Sequence, residues 1–238
     1  MDAFAKDKLE RLEGADASRK GTIDSRIVDV VYQLNSFPQY CTTSSCSGRT
    51  IVFSGAESDD EKSAVKKGCQ WHLVTHDLLT EDELGKAAQH SKQSVTLKFE
   101  PFILHVRCHT LEAAQKLLAL SIGAGCRNSG IMLSKTGKVH VAIRTTLSME
   151  VPLSDKGNVL VTPMYFKFLT QQANEKMEEN WKRLQRFAAA LETLHYESAQ
   201  TEKRQRPRKK PLAREKTKIV STPADYDETI SRLFDMST

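Results

Sequence analysis

The chain has 238 residues, a formal net charge of +5 and 39% hydrophobic residues, which is enough for one sizeable domain with extensions. No run approaches eighteen apolar residues and the N-terminus lacks an apolar segment, so the sequence predicts neither a membrane span nor a secretory signal. The five cysteines are irregularly spaced, which fits a reducing compartment better than a disulfide framework. We therefore expect a cytoplasmic protein with free thiols.

The first predicted elements are a helix and a strand separated by a polar stretch. "DSRIVDVVYQLNS", residues 24–36, has helical apolar spacing, and Asp24 is its expected N-cap. In the following "YCTTSSCSGRTIVFSG", we interpret "TIVF" as a buried strand and the polar "TTSSCSGR" as the loop that leads into it. A loop with a partial helical turn over 56–68 and a strand over 69–76 should come next.

The middle of the chain is predicted to alternate between helices and strands. A short helix over 81–90 precedes "VTLKFEPFILHVRC", which we interpret as two strand segments broken at Pro101, because proline cannot donate to a sheet ladder. "TLEAAQKLLALSIGAG" predicts a helix capped by Thr110. Its expected core face consists of Leu111, Ala114, Leu117, Leu118 and Ile122. Three short strands should follow, with "KTGK" as the hairpin turn between the first two.

A long helix should begin after Pro163 and run to about Tyr196. This alternation predicts an α/β fold, with a mixed sheet and flanking helices in a single domain over 1–199. A basic segment over 200–222 and a short terminal helix over 223–238 complete the predicted organisation.

The positive charge is concentrated near the C-terminus. Residues 203–218 hold nine Lys/Arg and one Glu, a net charge of +8, so the rest of the chain sums to −3. A proline-interrupted run of this composition is expected to be disordered. It can serve as a phosphate-binding arm, as a patch that directs the protein to the nucleus, or as a solubilising tail.

The polar stretch before the first strand is an array of hydrogen-bonding groups. Ser44, Ser45 and Ser47 carry hydroxyls that donate or accept. Gly48 allows a positive φ and the close approach of a ligand, and Arg49 presents a planar fork suited to a carboxylate or phosphate. Two interpretations stay open, an anion site or a solvated turn whose serines bond to their own backbone.

A second polar motif is "GAGCRNSG", residues 123–130. It ends a helix instead of opening one and lacks the G-x-G-x-x-G spacing, so a C-cap followed by a turn is favoured over an anion cradle. Cys69 and His72 should lie on opposite faces of their strand, which argues against a zinc site, and we expect no bound metal.

The titratable side chains on the strands have two interpretations each. His105 is either a satisfied core histidine or a base, and His76 closes a strand, where site residues are common. Glu100 and Glu150 are either solvated carboxylates or buried acids with partners.

Five segments together resemble the wybutosine-synthesizing protein 3 family over about residues 1–195. These are "TTSSCSGR", "KFEPFILHV", "GAGCRNSG", "MEVPLSDKG" and "ANEKMEEN". The resemblance implies an S-adenosylmethionine-dependent methyltransferase that methylates a ring nitrogen of the tricyclic wybutosine precursor beside the anticodon of phenylalanine tRNA. The family's motif positions fall on Ser44, Ser45, Cys46, Gly48, Arg49, His76, Lys98, Glu100, Pro101, His105, Arg127, Ser129, Gly130, Glu150 and Pro152.

Under this resemblance, Arg49 and the serines would bind the methionine carboxylate or a tRNA phosphate, and Arg127 with Ser129 would bind the other anionic partner. His105 or Glu100 would accept the proton released by methylation. The sequence has no glycine-rich dinucleotide fingerprint, so the methyl donor would not bind in the usual doubly wound manner. The alternatives are a non-catalytic module that presents tRNA to another enzyme of the pathway, or a general RNA-binding protein; cofactor binding by the isolated chain separates them.

Deleting residues 200–238 should leave folding and methyl-donor binding intact but weaken tRNA binding. Lys and Arg contacts to phosphates release counterions, so the truncated chain should lose affinity less steeply with salt than the full chain does. The measurement is tRNA binding by both forms across a salt series at fixed pH. Equal slopes would show that the tail does not contact the RNA, and lost donor binding would place the domain boundary beyond 199.

Overall fold

The computed structural model of the protein describes residues 2–14, 21–55, 69–89 and 92–205, with side chains described as far as residue 194. The loop predicted over 56–68 and the predicted terminal helix lie outside these residues. The described helices are α1 (Ala3–Glu13), α2 (Val28–Ser36), α3 (Glu81–Gln89), α4 (Leu111–Gly123) and α5 (Pro163–Gln205). The described strands are β1 (Tyr40–Ser54), β2 (Gln70–Thr75), β3 (Val95–Cys108), β4 (Gly130–Leu133), β5 (Val139–Arg144), β6 (Met149–Pro152), β7 (Ser154–Asp155) and β8 (Asn158–Val159).

The main sheet has the strand order β2–β1–β3–β5–β4, and β6 pairs with the N-terminal half of β3. The sheet, helices α1 to α4 and helix α5 as far as Ser198 belong to the contact unit Met1–Ser198. The α/β class, the flanking helices and the long C-terminal helix are confirmed. Every strand pair in the described residues is antiparallel, although a mixed sheet was expected from the alternation of helices and strands.

The prediction that the polar "TTSSCSGR" forms a loop is wrong. This segment belongs to the first part of the 15-residue strand β1. It pairs with β3 almost from end to end, from Tyr40 opposite Cys108 to Ser54 opposite Val95. This long-range pairing satisfies the backbone groups that local composition assigned to a turn. The register shifts once near Thr43, which places Ser44 opposite His105.

Pro101 does not divide β3 into two strands. On the side away from β1, residues 103–108 pair with β5 and residues 96–99 pair with β6, so Pro101 lies in the gap between the two partners. Its missing N–H therefore costs no ladder bond on that side. The buried hydrophobic residues of β3 are odd-numbered before Pro101 and even-numbered after it. They are Val95, Leu97, Phe99, Phe102, Leu104, Val106 and Cys108.

Helix α5 covers one face of the sheet, which we call the inner face. A stripe of buried residues repeats at intervals of three and four, with Thr170 buried beside it. The stripe consists of Leu169, Ala173, Met177, Asn180, Leu184, Phe187 and Leu191. One hydrophobic cluster joins α5 to α2, α4 and the C-terminal half of β3, and another joins it to the N-terminal half of β3 and to α3. The helix thus spans both halves of the core.

Helix α4 begins where it was predicted, and the backbone N–H of Ala113 donates to Thr110 Oγ1 at 3.1 Å. Its predicted core face is only partly right, because Leu111 and Ile122 are 44% and 45% exposed. The buried residues are Ala113, Ala114, Leu117 and Ser121. The helix is rotated so that small side chains, which permit close packing, meet the sheet.

The N-terminal helix α1 covers one end of the opposite face of the sheet, which we call the outer face. Asp7 bonds to both Arg107 and Lys138, and Phe4 stacks on His109 with ring centroids 5.0 Å apart. The predicted "KTGK" turn joins β4 to β5, with Gly137 at φ +76°. No helix in the described part of the chain has both the length and the apolar character needed to cross a bilayer.

Candidate functional site

Most of the polar residues singled out from the sequence lie on the outer face. Residues that stand opposite each other in a ladder point to the same side of the sheet. The relevant pairs are Ser44 with His105, Cys46 with Ile103, Ile103 with Arg144, Arg49 with Glu100, and Lys98 with Glu150. They form two clusters, one around His105 and one around Arg49.

In the His105 cluster, the imidazole lies between Ser44 and Arg144. His105 Nε2 is 3.2 Å from Arg144 Nη2, and its Nδ1 is 2.8 Å from Ser44 Oγ. A guanidinium can only donate, so Nε2 accepts and Nδ1 carries the proton that is donated to the serine. Partial burial, followed by the charge of Arg144, lowers the pKa of His105 below its ordinary value. The ring is therefore neutral near pH 7, with its lone pair on Nε2.

In the Arg49 cluster, positive and negative side chains alternate. Arg49 Nε and Nη2 bond to Glu100 Oε2 at 2.9 and 2.8 Å. Lys98 Nζ lies 3.9 Å from Glu100 and 3.0 Å from Glu150. The guanidinium also lies over the ring of Trp71, 5.1 Å from its centroid. Glu100 thus lies between two cations, and the Oε2 atom that accepts from Arg49 is already occupied.

The two predicted proton acceptors, His105 and Glu100, do not meet. They are five residues apart on β3, which corresponds to about 17 Å along the strand. The pair Cys46 and Ile103 lies between them. The outer face therefore offers an extended surface with a neutral base toward one end and an ion-pair network toward the other.

A third group of residues braces the middle of β1. The backbone N–H of Ser47 donates to Asp24 Oδ2 at 2.9 Å, so Asp24 contacts β1 and makes no side-chain cap to the 3₁₀ turn Ser25–Ile27. His76 Nδ1 donates to the carbonyl of Gly48 at 2.8 Å. Ser47 and His76, both predicted to bind ligand, are therefore engaged by the protein itself.

Asp24, Cys46 and His76 bring three potential metal-ligand atoms within 4.8 Å of one another. Two of these residues already bond to the backbone of β1, and burial raises the pKa of the Cys46 thiol. A metal would have to displace those bonds and remove the thiol proton. The expectation that no metal binds here stays a prediction.

Gly48 is needed for packing. The ladder bonds expected between Ser47 and Phe102 are replaced by Asn180, whose Nδ2 donates to Ser47 O at 2.8 Å and whose Oδ1 accepts from Phe102 N at 2.7 Å. Gly48 has φ +96°, and a Cβ at that position would lie 2.5 Å from Asn180 Nδ2. The close approach that the glycine permits is to helix α5.

The "GAGCRNSG" motif adopts the predicted C-cap and turn, with Gly125 at φ +98°. Ser129 Oγ donates to Cys126 O at 2.7 Å and accepts from the backbone N–H of Arg144 at 3.0 Å. Ser129 therefore ties this turn to the His105 cluster. Arg127 is exposed and makes no hydrogen bond or ion pair within the described part of the chain, so its guanidinium is available to an anion.

Sequence reasoning missed Arg144, Asn180 and Trp71. A charge at the end of the alternating strand "KVHVAIRT" was the available signal for Arg144. Asn180 occupies a core position of the α5 apolar stripe, where a polar residue indicates a buried hydrogen-bonding role. Trp71 is 43% exposed, and the sequence alone does not show on which side of the sheet it lies.

Comparisons with known proteins identify the class of protein. Residues 5–193 match the family model described as "Methyltransferase TYW3". The "tRNA wybutosine-synthesizing protein 3 homolog" of Pongo abelii is 47% identical over 189 residues, covering 79% of this chain and 72% of that protein. The homolog of Xenopus laevis is 44% identical over 191 residues, covering 80% and 75%.

A solved structure shares the fold. The PH1069 protein from Pyrococcus horikoshii matches with a TM-score of 0.69 at 31% identity, covering 79% of this chain and 93% of that chain. Taken together, the matches define a methyltransferase. The chain belongs to the TYW3 methyltransferase family of wybutosine synthesis, and the family and enzyme class expected from the sequence are confirmed.

Proposed function

We propose that the protein transfers a methyl group from S-adenosylmethionine to a ring nitrogen of the tricyclic wybutosine precursor beside the anticodon of phenylalanine tRNA. The observation that carries this proposal is the neutral His105 on the outer face, with Nε2 unprotonated and Nδ1 fixed by Ser44. A methylated ring N–H must lose its proton, and a positioned neutral imidazole is suited to accept it.

The residues around His105 fit the anionic part of the methyl donor. Arg127 is exposed and Arg144 borders the imidazole, so either guanidinium can hold the methionine carboxylate in a bidentate pair. When bound, S-adenosylmethionine supplies an activated methyl group on a sulfonium. The protein's contribution is to position the two reactants and to accept the proton.

Arg144 has to give up one contact before His105 can act. Its Nη2 occupies the lone pair of His105 Nε2 at a distance of 3.2 Å. A carboxylate or phosphate that arrives with the reactants is a stronger acceptor for a guanidinium than a neutral imidazole is. Binding of that anion would draw Arg144 away and free Nε2 for the ring proton.

The test is incubation of the purified protein with labelled S-adenosylmethionine and tRNA from cells that lack the enzyme, followed by mass analysis of the modified nucleoside. We expect the mass of one methyl group to be added to the tricyclic base. A parallel reaction without the methyl donor is the control. If the protein binds tRNA but neither binds the donor nor adds the methyl mass, it is the presenting module and not the enzyme.

A further inference from the structure

The indole of Trp71 is a large aromatic surface left open on the outer face. Trp71 lies on β2 opposite Phe53, and the two ring centroids are 6.5 Å apart with a tilt of 40°. The side chain is 43% exposed, although an indole gains strongly from burial. An exposed indole on the same face as the candidate site is available to contact a ligand there.

The surroundings of Trp71 fix its orientation and are charged. Arg49 lies over the ring, and that guanidinium is itself held by two hydrogen bonds to Glu100. The ion pairs of Lys98 and Glu150 continue beside it. This combination of one rigid ring with adjacent charges suits a flat polar ring better than it suits an apolar protein surface, which needs a wider apolar patch.

We propose that Trp71 is a stacking platform for an unpaired base of the tRNA loop, a base other than the one that is methylated. The inference rests on the proposed function for the identity of the RNA. Single-stranded bases stack on aromatic side chains and on guanidinium planes, frequently on open sheet faces. Trp71 lies opposite Phe53, which is farther along the sheet from His105 than Arg49 is. Glu100, opposite Arg49, is already about 17 Å from His105 along β3. One base therefore cannot contact both Trp71 and His105.

Measuring how tightly variants of Trp71 in the full chain bind tRNA and S-adenosylmethionine tests the stacking platform without requiring methyl transfer. Trp71→Leu should weaken binding of precursor tRNA by about 5- to 150-fold, the loss expected for one base–aromatic stack, and leave S-adenosylmethionine binding unchanged. Trp71→Phe keeps a ring and should retain most of the affinity. The matched control is Phe168→Leu, which removes a 50% exposed ring from α5 and should bind tRNA as the unsubstituted chain does.

Fluorescence provides a second measurement that does not depend on how well Trp71→Leu folds. The chain has two tryptophans, so in Trp181→Phe the emission comes from Trp71. Saturation with precursor tRNA should quench this emission, and saturation with S-adenosylmethionine should leave it unchanged. Quenching by the donor would assign the ring to the donor's adenine and overturn the proposal.

Three other results would also overturn the proposal. These are unchanged tRNA affinity in folded Trp71→Leu, an equal loss in Phe168→Leu, and emission of Trp71 that tRNA does not alter. None of these measurements requires methyl transfer. If the Trp71 variants behave as expected but no methyl mass is added, the proposed function fails while the base-binding platform stands. If the methyl group is added but substitution of Trp71 does not change tRNA binding, the proposed function stands and the platform fails.

Discussion

Replacing Asn180 by alanine should lower the free energy of unfolding by about 2 to 6 kcal/mol. The side chain is fully buried and bonds to the carbonyl of Ser47 and to the N–H of Phe102, which have no ladder bond to each other. Its removal leaves two buried backbone groups unsatisfied, each at a cost of about 1 to 3 kcal/mol. The effect is large because this one amide closes the break in the β1–β3 ladder.

Denaturant unfolding of the purified chain measures this prediction, with Asn174→Ala as the matched control. Asn174 likewise uses both of its amide atoms, which bond to the N–H and carbonyl of Leu79, but those groups are only partly buried. Water can replace the lost bonds there, so the control should lose less stability. A loss below about 1 kcal/mol in Asn180→Ala would show that the ladder closes without the asparagine.

The sequence correctly indicated that Gly48 has a positive φ, but it did not indicate why glycine is needed there. The sequence suggested the approach of a ligand, whereas the structure brings Asn180 of α5 against it. These residues are more than a hundred positions apart in the chain, and no local pattern connects them. The same limit explains β1, because its polar first half becomes a strand through pairing with β3.

The chemistry-bearing residues were easier to predict than their arrangement. Hydroxyl, guanidinium, imidazole and carboxylate groups at Ser44, Arg49, His105 and Glu100 do lie on one face. The sequence could not show that Glu100 pairs with Arg49 while His105 is held between Ser44 and Arg144, since both facts depend on cross-strand register. Register is set by pairing and bulges over the whole sheet, including the shift near Thr43.

Replacing His105 by glutamine should reduce the rate of the methyl-transfer step by about 10²- to 10⁴-fold, the contribution of a positioned general base. Glutamine can donate to Ser44 and accept from Arg144 in place of the two imidazole contacts, so the surrounding side chains keep their partners while the titrating base is lost. The measurement is a single-turnover rate with precursor tRNA and saturating methyl donor. Binding of both reactants should change little.

The pH dependence of that rate distinguishes His105 from Glu100 as the proton acceptor. The pKa of His105 is lowered from its ordinary value of 6.5, so the imidazole becomes protonated and inactive only as the pH falls below about 6.5. The unsubstituted chain should therefore show a constant rate from neutral pH down to that point and a decline below it, and the decline should be absent from the residual rate of His105→Gln. Glu100→Gln removes the partner of Arg49 and should weaken tRNA binding more than it slows the step. If His105→Gln retains a rate within about threefold and the same acid decline, the proton goes elsewhere, and a large rate loss in Glu100→Gln would assign it to the carboxylate despite its two cationic neighbours.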